Sequence, residues 1–378
     1  MTAIVEHSPH RAWIEIDHAA LRHNLQELQA TAGEDREVIA VVKANAYGHG
    51  AQEVSETLIS AGVQRLAVAT VSEALRLRGA GIKVPILVLW GLGAPEAELA
   101  VNADLEPIIT DERELDPLVG AAAASGGRIG VHLKVDTGLR RQGAAPSDAV
   151  ALAVAIVRRR ELRLVGTFSH LAVPGEDDAF TDVQLLRFAQ VLDAIRSAGV
   201  DPGLVHVSAT GGVLAGAGAF ADAVRLGLGL YGMAPAWAAG REVGLRPVLS
   251  LKALPLRIFD LPTGEPIGYG LRFRASHSTR VATLGIGYGD GWPRAHLNNG
   301  SALVHGQRAP MVGAISMDGL TVDVGAVDDV TYGDEFVLIG SQSGARITTD
   351  EVAAERRTIN YEVTTALRER LPRFHLGR

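Results

Sequence analysis

Val38-Ile39-Ala40-Val41-Val42-Lys43-Ala44-Asn45-Ala46-Tyr47-Gly48-His49-Gly50 joins an unbroken apolar run to a lysine and then to a turn rich in Gly, Asn and His. The run from Val38 reads as a buried strand. Burying an ammonium at the end of such a strand is costly unless the amine has a chemical task. A desolvated lysine has a lowered pKa and can condense with a carbonyl group to a Schiff base. Tyr47, four positions on, is placed to reach a phosphate beside it. The bland alternative is a lysine whose stem leaves the strand end and carries its charge to water.

Working outward, the same pattern recurs. Strands are expected at 38–43, 65–70, 84–90, 105–110, 130–137, 164–171, 204–209 and 223–228, with helical patterns between them. Leu185, Phe188, Leu192 and Ile195 follow one helical face, and Val54, Leu58 and Ile59 do the same earlier. Gly62, Gly81 and Gly199 each stand between a helical stretch and a strand, as C-terminal caps do. Eight strands with intervening helices predict an α/β fold, a (β/α)8 TIM-like barrel; a doubly wound open sheet is the competing arrangement. After Pro247 the strand-like runs crowd together at 249–258, 279–286, 302–304, 320–324 and 335–339, and helical pattern returns only near 349–371. This predicts a barrel over residues 1–242 and a mostly-β C-terminal domain with a terminal helix over 243–378. A strand at 11–16 has no place in the barrel count and is expected to pair with the β domain.

Composition sets bounds. The 378 residues suit two domains, and 47% hydrophobic with 21% charged residues describe an ordinary globular protein. A net charge of −7 gives no reason to expect nucleic acid or an anionic membrane as partner. No apolar run approaches the roughly 18 residues of a membrane span. Residues 1–11 carry no basic cluster ahead of an apolar segment, so a cytoplasmic location is expected. With no cysteine, disulfides, thiolate metal sites and a cysteine nucleophile are excluded, and no metal is implied.

In a barrel of this kind the working residues lie at the C-terminal strand ends. Polar residues gather there: Lys43; His132-Leu133-Lys134-Val135-Asp136-Thr137-Gly138; Ser169-His170; His206-Val207-Ser208-Ala209-Thr210-Gly211-Gly212; and Arg225-Leu226-Gly227-Leu228-Gly229. The last two resemble a barrel phosphate site, a hydroxyl with Gly-rich backbone N–H groups. In the β-rich part, Gly268-Tyr269-Gly270 and Ile286-Gly287-Tyr288-Gly289-Asp290-Gly291-Trp292-Pro293-Arg294 each set a tyrosine among glycines. Such a tyrosine is either a strand-edge aromatic or a catalyst.

From Trp13 to Arg373 the order and spacing of these motifs resemble the alanine racemases. The resemblance implies interconversion of L- and D-alanine, pyridoxal 5′-phosphate (PLP) as cofactor, a small amino acid as substrate, and a homodimer with shared active sites. It implies that Lys43 holds PLP and acts as one base, with Tyr269 the second, reaching the partner subunit's cofactor. It implies that His206 links Arg225 to that tyrosine and that His170 packs on the pyridine ring. Tyr47, Thr210, Gly227, Leu228 and Tyr361 match the phosphate cradle. Arg141 and Met317 match substrate-carboxylate contacts. Lys134 matches a position that is often carbamylated and steadies that arginine. Tyr288 and Arg294 match the substrate entry, and Asp318 is a supporting residue. Two bases on opposite faces remove an α-proton from one side and return one to the other. The resemblance leaves open whether the D-alanine serves as a peptidoglycan precursor or is broken down.

The chain departs from the family in places. Ala209-Thr210 stands where Asn-Ser is usual, Ser316 where cysteine is common, and Arg140 and Gln142 where glycine and an aliphatic residue are usual. Gly175 and Ala314 replace an Asp and an Arg of the corridor, which opens either a wider, less charged entrance or nothing of consequence. A racemase of other amino acids, such as serine, is the alternative. A PLP-dependent decarboxylase needs a cysteine that this chain lacks, and non-catalytic PLP-binding barrels lack a second domain.

Overall fold

The computed structural model describes residues 10–238 and 244–378. The chain forms two units: Ala20–Arg246, and Pro247–Arg378 together with the N-terminal stretch through Ala19. The boundary expected between residues 242 and 243 lies outside the described residues.

The larger unit is a closed barrel. After β1 (Ala12–Asp17), which belongs to the other unit, come β2 (Glu37–Val41), β3 (Arg65–Val68), β4 (Ile86–Val88), β5 (Glu106–Ile109), β6 (Ile129–Lys134), β7 (Leu162–Phe168), β8 (Leu204–Ala209) and β9 (Ala223–Leu226). Each pairs in parallel with the next, and β9 returns to β2 with Ile39 opposite Arg225. That closure rules out the open sheet. Most strands end one to three residues before the limit the sequence suggests. Lys43, Thr70, Trp90, Thr110 and Thr137 all lie in the loops beyond.

The helices follow the expected faces. Along Asp178–Ser197 the buried side is Thr181, Gln184, Phe188, Val191, Leu192 and Ile195. Leu185, expected on that face, is only half-buried. Gly62, Gly81 and Gly199 have φ of +104°, +88° and +75°, the left-handed region that ends a helix without a Cβ penalty.

The second unit holds a sheet in which β1 lies between β10 (Leu249–Ala253), antiparallel with Ile14 opposite Leu251, and Arg373–Leu376, parallel with Ile14 opposite Arg373. Phe336–Gln342, Ser301–Val304 and Gln307–Pro310 extend it. A second sheet contains Pro255–Leu261, Thr279–Leu284 and Leu320–Asp323. The run expected at 249–258 is therefore two strands. It breaks at Leu254, and Pro255, which has no N–H for a ladder, opens the second sheet. The helical stretch near 349–371 is two helices, Thr349–Arg356 and Asn360–Thr365, divided at Arg357 with φ of +55°.

Candidate active site

Lys43 follows β2 by two residues and opens a turn of unusual hand. Ala44, Asn45, Ala46 and Tyr47 all have φ between +50° and +55°. Each such residue costs about 1–2 kcal/mol, so the surroundings must impose the turn. Glu73 does so from a capping box on the helix after β3. One carboxylate oxygen takes the Ala44 N–H at 2.6 Å, and the other takes the Ala69 N–H at 2.8 Å. The Asn45 carboxamide accepts from Ala51 N at 2.8 Å. Tyr231, whose hydroxyl donates to Val41 O at 2.8 Å, packs against the rings of Tyr47 and His49. The turn sends the chain back on itself so that Tyr47 is buried beside Gly227. A Cβ on Gly227 would sit 2.6 Å from the Tyr47 hydroxyl, so the backbone there approaches the phenol directly.

Thr210 and the glycines after β9 form the next wall. The Thr210 hydroxyl accepts from the N–H groups of Gly227 and Gly229 at 3.3 and 3.2 Å, which leaves its own hydrogen to donate elsewhere. Leu228 lies between them and is buried. The exchange of Ser for Thr thus keeps the hydroxyl's role in this wall.

The barrel also carries a cluster of cations. Arg225, on β9, is buried; its Nη1 contacts Nδ1 of His206 at 2.7 Å. Nη2 donates to Ser169 O and Val207 O at 2.8 and 2.9 Å and reaches Nδ1 of His170 at 3.0 Å. Lys134 Nζ donates to the Gln142 carbonyl oxygen at 3.2 Å, and the Arg141 guanidinium lies over the Trp90 ring, 5.8 Å from its centre. Burial lowers the Lys43 amine, Arg141 and Arg225 lower it further, and Glu73 opposes them. Burial, then Arg141 and Arg225, bring Lys134 down to about 8. Burial, then Arg141, bring Arg225 to about 9. Burial and these same cations push His170 well below its ordinary value. The barrel mouth carries an excess of positive charge.

The remaining expected site residues belong to the second unit. Tyr269 sits on a tight turn between Gly268 and Gly270, at φ of +76° and +73°, with Gly268 packed on the backbone of Ala314; its side chain is 72% exposed. Tyr288 and Met317 are brought together by two facing loops, through Tyr288 N to Ser316 O at 3.0 Å and Gly289 N to Met317 O at 2.8 Å. The Ser316 hydroxyl closes the second loop on Gly319 O at 2.7 Å. Arg294 donates to Ile315 O at 3.1 Å, and Asp318 is paired with Arg370 at 2.7 Å. Tyr361 is carried by the short helix Asn360–Thr365.

One expected role does not fit. His206 is fully buried inside the barrel, and its second ring nitrogen, Nε2, lies 3.1 Å from Nδ1 of His132. With both nitrogens occupied by Arg225 and His132, it has none left to link Arg225 to a tyrosine. His170, which also contacts Arg225, is the histidine at the mouth. The entrance at Gly175 is not simply widened either. Gly175 has φ of +81°, and a Cβ there would meet the Trp237 indole at 2.7 Å, so the ring fills the space. Sequence reasoning missed Glu73, Tyr231, Trp90 and Trp237. Of these only Glu73 left a signal, the Thr70-x-x-Glu73 capping pattern.

Comparison with known proteins places this geometry. Residues 16–235 match the family model of the alanine racemase N-terminal domain, and residues 248–375 that of the C-terminal domain. These two matches, which together span nearly the whole chain, define an amino-acid racemase, an isomerase built on a barrel and a β domain. The chain belongs to the alanine racemase family. It is 38% identical to the alanine racemase of Sorangium cellulosum over 97% of this chain and 99% of that protein. The crystal structure of alanine racemase from D-cycloserine producing Streptomyces lavendulae superposes with a TM-score of 0.92 at 34% identity, covering 98% of both chains. The histidine racemase of Leuconostoc mesenteroides superposes at 0.87 with 28% identity, covering 98% of this chain and 99% of that one.

Proposed function

We propose that the protein interconverts L- and D-alanine with PLP as cofactor, as a cytoplasmic homodimer, using Lys43 and Tyr269 as bases on opposite faces of the substrate. The observation that carries this reading is the barrel mouth, where Lys43, Lys134, Arg141 and Arg225 crowd together with too few carboxylates to balance them. Such a site calls for an anionic occupant. A phosphorylated aromatic aldehyde and a substrate carboxylate supply negative charge, and the wall of Tyr47, Thr210, Gly227 and Leu228 offers hydroxyls and backbone N–H groups to a phosphate. Tyr361 is proposed to complete that wall.

Each residue then has a task within reach of its chemistry. Burial and the neighbouring arginines lower the Lys43 pKa and so favour its amine form, which would hold the PLP aldehyde and would take or give an α-proton at Nζ. When bound, PLP withdraws electrons from the α-carbon. Arg225 can only donate, so it would offer an N–H to the pyridine nitrogen and leave it unprotonated. Arg141, propped by Trp90, and Met317 would hold the carboxylate. Tyr269, exposed on its own chain, is proposed to serve the second base's role in the partner subunit's site, with Tyr288 and Arg294 at the entry.

Absorption of the purified protein, borohydride reduction with peptide mapping, and racemisation of an amino-acid panel test the proposal. The expected result is PLP fixed to Lys43 and fastest turnover of alanine. Faster turnover of serine or histidine would reassign the substrate, and absence of PLP would overturn the reading.

A further inference from the structure

Beneath the barrel mouth a line of polar side chains runs through the interior. His206 on β8 meets His132 on β6 at 3.1 Å. Nε2 of His132 lies 3.2 Å from Oε2 of Glu106 on β5. The same oxygen accepts from Nη1 of Arg65 on β3, and Arg65 Nε donates to Glu37 on β2 at 2.8 Å. His132 and His206 are fully buried and Glu106 nearly so. Gly166 makes room for the line, since a Cβ there would stand 2.7 Å from Nδ1 of His132. Two cations, Arg225 and Arg65, and two carboxylates, Glu106 and Glu37, balance along it.

Hydrogen-bond polarity has one consistent solution. An ionised carboxylate only accepts, so the His132 proton must be on Nε2. Nδ1 of His132 is then an acceptor, which puts the His206 proton on its Nε2. Nδ1 of His206 therefore presents a lone pair, and this is the atom Arg225 approaches at 2.7 Å. Reversing any one tautomer sets an N–H against an N–H in a buried site, an arrangement that costs more than the bond itself contributes. We propose that Glu106 and His132 are positioning residues: acting through His206, they hold a lone pair on Arg225 and so fix the guanidinium at the barrel mouth. Burial lowers both histidines' affinity for protons, Arg225 adds to this at His206, and Glu106 opposes it at His132, so the neutral rings persist at neutral pH. The consequence for catalysis rests on the proposed place of Arg225 beside the cofactor; the tautomers do not.

The test is heteronuclear NMR of 15N-histidine-labelled protein with its cofactor retained, His132 and His206 being assigned by substitution to Asn. The expected result is that both rings are neutral and protonated on Nε2 from about pH 6 to about pH 9, spanning the ordinary histidine pKa. In Glu106→Met the carboxylate is lost without loss of bulk, and His206 loses its single-tautomer signature. The kcat then falls roughly tenfold to a hundredfold, the range for losing a group that orients a working one, while KM and cofactor content hold. Glu106→Gln, which keeps an acceptor oxygen, restores both signature and kcat. An Nδ1-protonated or charged His206 in the unsubstituted protein overturns the proposal without any variant having to fold. So does an unchanged His206 signature in Glu106→Met. A protein without PLP or racemisation would instead sink the functional reading and leave the tautomer result standing.

Discussion

Arg11 closes on the buried carboxylate of Asp290, its Nη2 2.8 Å from one oxygen and 3.1 Å from the other, across 279 positions of sequence. Its Nη1 donates to the carbonyls of Gly285 and Asp318 at 2.6 and 2.8 Å. Asp290 in turn accepts from Gly287 N at 3.0 Å, and Arg370 bridges it to Asp318. One carboxylate thereby ties the residue before β1 to the two loops that carry Tyr288 and Met317.

Asp290→Asn removes the charge and leaves Arg11 and Arg370 without their shared partner. Breaking a buried ion pair from one side costs about 3–5 kcal/mol, and because both arginines are partly exposed the cost here is discounted to about 2–3 kcal/mol. Denaturant unfolding should show that loss. The KM for alanine should rise, since Tyr288 and Met317 lose their common anchor. Unfolding and KM both unchanged would mean that the loops are held by their backbone bonds alone.

Lys134 gives a prediction with a sign. Its amine is held at about 8 in the folded protein against an ordinary 10.5, because burial and the neighbouring arginines disfavour the ammonium. Below about 8 both states are protonated and the fold bears the full cost, about 3 kcal/mol by linkage. Between about 8 and 10.5 the unfolded chain binds more protons, so stability rises with pH. Lys134→Met should therefore stabilise the cofactor-free protein at neutral pH, flatten that rise and lower activity. Thermal melts across the pH range in carbon-dioxide-free buffer check it. A variant less stable than the parent at neutral pH would contradict the sign.

These sites show how far the sequence carried. The barrel was legible because β/α alternation repeats eight times and the polar residues fall at the strand ends. The hand of the turn after Lys43 was not. Of Ala-Asn-Ala-Tyr only Asn readily takes positive φ, and the conformation is imposed by the Asn45 carboxamide within the turn and by Glu73 and Tyr231 from elsewhere in the fold. The two short strands at Gln307–Pro310 and Ala345–Ile347 carry too few apolar residues to show a period of two. His206 was found as a site residue but given the wrong task, because a sequence does not reveal which partner each ring nitrogen meets. Asp290 stands in its own glycine-rich motif and residue 11 only at the start of an expected strand, and nothing local joins them.

Tyr269→Phe should keep PLP yet lose most racemisation, with the loss falling on one direction of α-proton abstraction. The phenol stands on a turn set by two glycines and a packed Ala314 backbone, so removing its hydroxyl leaves the turn intact. Solvent-deuterium exchange into L- and D-alanine, followed separately, reads the two faces. Near-normal exchange from both enantiomers would remove Tyr269 from the chemistry.

The last prediction concerns the assembly. Tyr269 is 72% exposed on its own chain, and Lys43 lies in the other structural unit at the barrel mouth. If the site is completed by a second copy, two inactive variants, Lys43→Ala and Tyr269→Ala, should restore activity when co-expressed. A mixed dimer holds one site with both bases and one with neither, so a random mixture of subunits, half of them in mixed dimers, should recover about a quarter of the parental kcat per subunit if the two sites act independently. Differently tagged subunits purified in tandem isolate the mixed species, whose expected recovery is one working site in two. Verified mixed dimers that remain inactive, while each variant alone still dimerises, would show that one chain builds the whole site, and Tyr269 would then have to reach the Lys43 of its own subunit.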